Sequence, residues 1–157
     1  MPNNIEIVDY QSKYRDAFST LNKEWIDAYF TMEEKDEKVL NNPEEYIIDK
    51  GGYIIVVLSG GKPIAVCALI KLYNSEHDYE LAKMAVSPQF HGRGIGFLLG
   101  KAAVNKAKSL NAKSLFLESN TILEPAINLY RKLGFIEVPI KNSPYKRSNI
   151  QMVLNMQ

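Results

Sequence analysis

The sequence predicts an α/β fold of the α+β type, with about seven strands and about four helices in one domain spanning residues 1–157. Three observations predict it. The apolar runs are strand-sized, apolar residues recur at helical spacing in three separate stretches, and a glycine-rich segment joins a predicted strand directly to a predicted helix.

Ile5 to Val8 reads as a short first strand. Tyr10 to about Phe30 reads as a helix, because Tyr14, Ala17, Phe18, Leu21, Trp25 and Tyr29 recur on one face. The acidic stretch Glu33 to Glu37 continues as a second helix, and Pro43 followed by Glu44 and Glu45 fits the opening turn of a third, short one. Gly51 and Gly52 then end the helical half. Tyr53 to Leu58, the turn Ser59 to Lys62, and Pro63 to about Tyr73 form a hairpin with a glycine connection. Another strand, about Tyr79 to Val86, follows the polar turn Asn74 to Asp78. From Gly94 to about Leu110, Ile95, Leu98, Leu99, Ala102 and Ala103 keep helical spacing, and Lys106 and Lys108 suit the helix C-terminus. Ser114 to Glu118 is a strand. About Glu124 to Lys132 is a helix stopped by Gly134, and Phe135 to Ile140 with Asn149 to Leu154 close the chain as a strand pair.

Composition narrows the function classes. Apolar residues make up 46% and charged residues 24%, ordinary globular usage that excludes collagen-like and disordered chains. Nineteen basic against eighteen acidic residues leave a net charge of +1, without the excess of positive charge that phosphate-backbone binding draws on, so no nucleic acid partner is expected. The longest apolar runs, Tyr53 to Leu58 and Ile64 to Ile70, fall far short of the roughly 20 residues of a bilayer span, so no membrane partner is expected either. The first residues lack the basic and apolar regions of a secretory signal, and a cytoplasmic location is the expectation. Cys67 is the one cysteine, so no internal disulfide and no cysteine cluster for zinc can form; no metal is expected. Inside Ile64 to Ile70, Cys67 reads as a small buried hydrophobe rather than a nucleophile.

Gly92, Gly94 and Gly96 lie between strand and helix, where successive amides and the positive helix end can cradle an anion, with pyrophosphate the natural ligand. The dinucleotide fingerprint fails, because the third glycine it requires would fall at Phe97 or Leu99. The loop also follows three predicted strands, whereas the dinucleotide unit usually opens its fold. The phosphate-binding loop of nucleoside triphosphatases fails too, since Gly100-Lys101 continues into Ala102 rather than Ser or Thr.

The segment Gln89-Phe90-His91-Gly92-Arg93-Gly94 resembles the motif of the GNAT N-acetyltransferases: Gln or Arg, two residues, Gly, one residue, then Gly or Ala. Its surroundings add specificity. Met84 to Pro88 looks like that family's strand end before the loop, and Leu129 to Phe135, with Tyr130 and Gly134, like its later helix signature. The resemblance covers roughly Tyr53 to Phe135. It implies a mixed, mostly antiparallel sheet with two central strands splayed apart, acetyl-CoA as co-substrate, and transfer of an acetyl group to a primary amine of a small molecule, peptide or protein by direct attack. It further implies that the backbone of Met84, Ala85 and Val86 meets the pantetheine arm, and that Gln89, His91, Gly92, Arg93, Gly94, Ile95 and Gly96 surround the pyrophosphate. Asn120 is a further cofactor candidate, but the family's Asn stands seven residues before the tyrosine, where this chain has Leu123; Thr121 and Glu124 read alternatively as a capping box.

Acyl transfer from a thioester to an amine needs a base to deprotonate the amine, whose pKa is about 10.4 when lysine-like, and an acid near the leaving thiolate. By resemblance Tyr130 is that acid and Glu80, four residues before Met84, the base. The competing readings are a packed helix-face aromatic and a surface carboxylate. The acceptor is expected between the first helical hairpin and the last strand pair. There Trp25, Tyr29 and Phe30 with Glu33, Glu34, Asp36 and Glu37 suit a cationic amine, while Tyr145, Lys146 and Arg147 suit a carboxylate. Two further readings stay open: a non-catalytic acyl-CoA-binding sensor or interaction module on the same fold, and a homodimeric assembly, frequent in the resembled family. A third reading, a dinucleotide oxidoreductase, is disfavoured by the glycine spacing.

Overall fold

A computed structural model describes residues 4–156 as a seven-stranded mixed sheet with helices on both faces. The elements in order are β1 (Ile5–Asp9), α1 (Arg15–Tyr29), α2 (Glu34–Asn41), β2 (Tyr53–Ser59), β3 (Lys62–Lys71), β4 (Tyr79–Val86), α3 (Ile95–Ser109), β5 (Ser114–Ser119), α4 (Glu124–Leu133), β6 (Ile136–Val138) and β7 (Ile150–Asn155). The sheet order is β1-β2-β3-β4-β5-β7-β6, and every neighbouring pair is antiparallel except β4 and β5.

Alternation along the central strands explains why their apolar runs are unbroken. Ile54, Val56 and Leu58 of β2 and Val66 and Ala68 of β3 join a core with Tyr14, Phe18, Ile26, Leu40 and Ile47 beneath α1 and α2. The intervening Ile55, Val57, Ala65, Cys67 and Leu69 join the opposite core with Leu99, Ala103, Ala107, Leu115, Leu117 and Ile127 beneath α3 and α4. A strand covered on both faces has no polar side, so it reads as continuously apolar. Cys67 is fully buried there, and burial pushes its thiol up to about 12.

Two local features position the site. First, β4 and β5 share only the rungs Tyr79↔Leu115 and Glu80↔Phe116, and beyond Glu80 the strands splay. Second, β4 carries a bulge. Its register against β3 steps from Ala68↔Ala82 to Val66↔Ala85, so Lys83 and Met84 together oppose Cys67. Lys83 takes φ +52°, a left-handed conformation that non-glycine residues adopt at a cost and that bulges exploit to re-aim side chains. The extra residue resets the alternation: Leu81 faces α3, yet Ala85 faces α1, the face that Glu80 also takes.

Several boundaries differ from expectation. A tight turn, Ser12–Tyr14, precedes α1, and the buried stripe of that helix is Phe18, Asn22 and Ile26, leaving Tyr29 exposed. Asn22 escaped apolar counting because its Nδ2 donates to the Phe18 carbonyl at 3.0 Å, which satisfies a polar group inside the core. The expected third helix is a single wide turn, Glu44–Ile48. β6 keeps only three residues, and no capping box forms at α4: Leu123 is its N-cap, while Thr121 pairs with Asn149 instead.

At Gly52 an added Cβ would lie 2.7 Å from the Leu69 carbonyl oxygen and 2.8 Å from that of Ile47, both backbone and unable to swing aside. Gly52→Ala should therefore destabilise the fold by about 1–3 kcal/mol, seen in urea unfolding as a lower midpoint with an unchanged slope.

Candidate active site at the strand splay

The splay opens a cavity between β4 and β5. Glu80, Leu81, Lys83 and Met84 of β4 line one side, Glu118 and Ser119 of β5 the other, with Trp25 and Ile26 of α1, Tyr130 of α4, and Tyr145, Arg147 and Ser148 of the β6–β7 loop completing it. Glu80 and Glu118 share the α1 side of the sheet, because the alternating neighbours Leu81, Leu115 and Leu117 are committed to the α3 side.

Glu80 is half-buried and ion-paired to none of the described residues. Burial, then the nearby Glu118 carboxylate, push its carboxyl up to about 7, and the attraction of Lys83 and Lys35 only partly offsets them. Glu118 accepts from Ser148 Oγ at 2.9 Å, a neutral donor. Burial pushes the Tyr130 phenol up to about 12, so it stays protonated at neutral pH. Its ring is held edge-on by Phe135 at a centroid distance of 6.1 Å, and Gly134, at φ +106°, turns the chain between them. The site thus collects a carboxyl that titrates near neutrality and a phenol that does not.

Asp36 ties three walls of the cavity together. Its side chain is fully buried and accepts a bidentate pair from Arg147, at 2.8 Å on each oxygen, with Lys83 Nζ at 3.1 Å and the Glu33 amide at 3.0 Å. Burial alone would raise its carboxyl, but Arg147, Lys83 and the Glu33 amide hold it at about 2. Burial pulls Lys83 below the usual lysine range against the attraction of Asp36. Lys83 also donates to the Tyr145 hydroxyl at 2.7 Å, and Arg147 lies 4.4 Å from the Tyr145 ring centre.

The glycine loop stands at the start of α3. Gly92 and Gly94 have φ +75° and +77°, and Gly94 is the helix N-cap. A turn so wound, followed by the first amides of a helix, directs N–H groups outward, and no acidic residue stands in the first turn to repel an anion. Gln89, Arg93 and His91 are exposed; Arg93 packs over Phe90, and His91 Nε2 donates to the Val86 carbonyl at 2.9 Å. Ile95 is buried under the loop, and Gly96 faces Leu129 at an ordinary contact distance. Past Glu80 the edge of β4 that carries Met84, Ala85 and Val86 shares no rung with β5. These features fit a pyrophosphate on the loop amides and an extended arm along that edge.

Asn120 lines the cavity, with its side chain engaged: Nδ2 donates to the Arg147 carbonyl at 2.7 Å, and Oδ1 accepts from the Ile122 amide at 3.0 Å. The acidic rim read in the sequence is divided. Glu34 and Glu37 are exposed, Asp36 is buried, and Glu33 pairs with Arg147. The basic cluster of the last loop is divided as well: Arg147 and Tyr145 are held within the Asp36 network, while Lys146 is exposed. Lys83, Glu118 and Ser148 went unnoticed in the sequence. A lysine beside Met84 in an otherwise apolar strand end was the available sign of a bulge, and Glu118 follows from the inward Leu115 and Leu117 by alternation.

A model of the acetyltransferase (GNAT) family matches residues 15–135. An N-alpha-acetyltransferase of Sulfurisphaera tokodaii is 39% identical over 66 residues, 41% of this chain and 40% of that protein, so the match spans less than half of that relative. Among solved structures, an acetyltransferase of the GNAT family from Staphylococcus aureus superposes with a TM-score of 0.84 at 20% identity, covering 98% of this chain and 99% of that one. A Salmonella typhimurium protein solved with acetyl-CoA superposes with a TM-score of 0.78 at 14% identity, covering 99% and 95%.

A carboxyl raised to about 7 binds a proton in the folded state that the unfolded chain has already released above about pH 4.5, so burial of Glu80 lowers stability as pH rises from there through 7. Glu80→Gln should accordingly melt higher than the parent at pH 8, with the advantage vanishing near pH 4; thermal unfolding followed by circular dichroism measures the difference.

Proposed function

Because the chain belongs to the acetyltransferase (GNAT) family, we propose that it transfers an acetyl group from acetyl-CoA to a primary amine by direct attack in a ternary complex. The observation that carries this reading is the convergence of Glu80 and Tyr130 on one cavity at the β4–β5 splay, on the strand that leads into the glycine loop. Acetyl-CoA supplies an acyl group activated as a thioester. The amides of Gly92 to Gly96 hold its pyrophosphate, with Arg93 at the solvent edge, and the free edge of β4 around Met84 and Val86 holds the pantetheine arm extended.

Glu80 accepts the proton of the incoming ammonium. Its raised carboxyl suits that task, since a general base works best when its pKa lies near the working pH. Tyr130 keeps its proton until a thiolate develops and then donates it; a phenol at about 12 cannot be consumed as an anion beforehand. Trp25 and Phe30 shield the cavity mouth from water on the α1 side. Isothermal titration with acetyl-CoA, followed by thiol release against a panel of amines, tests the whole reading. Binding with amine-dependent release supports it; binding without release favours a non-catalytic acyl-CoA sensor, and absence of binding overturns both.

Two variants probe the roles separately. Tyr130→Phe should lower kcat by about 10²-fold or more while leaving the acetyl-CoA Kd unchanged, and an unaltered kcat removes the acid role. In Glu80→Gln, kcat/KM should fall by about 10²–10⁴-fold, and the acidic limb of its pH profile, centred near 7 in the parent, should disappear.

A further inference from the structure

The ionisable groups that line the cavity divide into two sets. Its two cations are neutralised in place: Lys83 Nζ lies 3.1 Å from Asp36, and Arg147 lies 2.8 Å from Asp36 and 3.3 Å from Glu33. Its two carboxylates are not. Glu80 and Glu118 form no ion pair among the described residues, and Glu118 is held only by the neutral Ser148 and Gln151. The phenol of Tyr145 is occupied by Lys83; Lys35 of α2, 5.6 Å from the centre of that ring, does not line the cavity and is the weakest of the influences on Glu80. The other cations of the last loop, Lys141 and Lys146, are exposed and do not line the cavity, and Lys141 pairs with Glu76.

A carboxylate entering this cavity would therefore meet two carboxyls that have no ion pair, and no unpaired cation among the lining residues, whereas an ammonium would meet two partners for its charge. Trp25 and Phe30, 5.9 Å apart between ring centres, add aromatic faces that favour a cation and repel an anion. We infer that the acceptor is a cationic amine with no carboxylate beside the reacting nitrogen, and that free α-amino acids are rejected. This rests on the acetyl-transfer reading above and narrows its substrate class. A polyamine, an arylalkylamine and a peptide-like amine share the required chemistry.

The test uses the full chain, acetyl-CoA and matched acceptors that differ by the carboxylate: 2-phenylethylamine against L-phenylalanine, and 3-methylbutylamine against L-leucine, with L-phenylalaninamide as the peptide-like arm. In the aromatic pair the carboxylate-bearing member has the less basic amine, so proton removal favours it and the opposite preference reads charge. The expected result is a kcat/KM at least about tenfold higher for the carboxylate-free member of each pair that is turned over, a ratio equivalent to about 1.4 kcal/mol. Equal or reversed values overturn the inference while leaving acetyl transfer intact; no thiol release with any amine overturns acetyl transfer as well. Glu118→Gln removes one unbalanced charge and should shrink the ratio. Asp36→Asn strips Lys83 and Arg147 of their counter-charge and should shrink it further, provided a melting curve shows the variant folded. An undiminished ratio in folded Glu118→Gln overturns the electrostatic basis of the inference.

Discussion

The parallel contact between β4 and β5, only two rungs long, is the constraint on which the site depends. Elsewhere the sheet is zipped by antiparallel pairing, with six rungs between β5 and β7 and a nearly continuous ladder from β1 through β4. Where β4 and β5 part, backbone polar groups would ordinarily remain unpaired at a cost. Under the proposed function the opening is a place for a ligand, where an extended arm would take the edge that β5 vacates; side chains from α1, α4 and the β6–β7 loop reach into the gap. Closing the strands fully would repair the ladder and remove the cavity.

The bulge in β4 serves the same end from the other side of the strand. One extra residue shifts the alternation, so Glu80 before it and Ala85 after it face α1, while Lys83 is turned aside into the Asp36 network. A lysine so deeply placed, in a left-handed conformation, would be costly alone. Asp36 balances it, together with Arg147 from a loop far along the chain, and the three groups lock α2, β4 and the β6–β7 loop around the cavity. Breaking one partner of such a network strands the others, which makes it a specifier of this geometry more than a simple source of stability.

Electrostatics then divide the labour. The cations that line the cavity are spent on Asp36 and Glu33, and the carboxyls facing it have no ion pair among the described residues. The same burial that makes Glu80 a poor contributor to folding above neutral pH gives it the pKa that the proposed base role calls for. In the proposed reaction, stability and chemistry are opposed at that residue and aligned at Tyr130, where Phe135 holds the ring and burial keeps the phenol protonated.

Local chemistry was legible from residues alone. Glycines at 92 and 94 need left-handed φ, Gly134 stops a helix, and strand-length apolar runs imply two-sided burial; all seven strands and the four main helices follow from such short-range rules. The position of the glycine loop before α3 was equally readable, as was the approach of Tyr130 to the site through its resemblance to a known signature. Other features required the folded chain. The stripe expected on α1 holds at Tyr14, Phe18, Leu21 and Trp25 but missed Asn22, which is buried through a hydrogen bond that hydrophobicity does not register, and took in Tyr29, which is exposed. The acidic rim and the basic loop looked like rival invitations to substrates, and neither could be weighed in sequence. Asp36 and Arg147 stand 111 residues apart, and only their meeting across the cavity cancels both. Charge placed along a chain is a matter of composition. Whether that charge is free depends on distance, and distance between remote residues is set by packing.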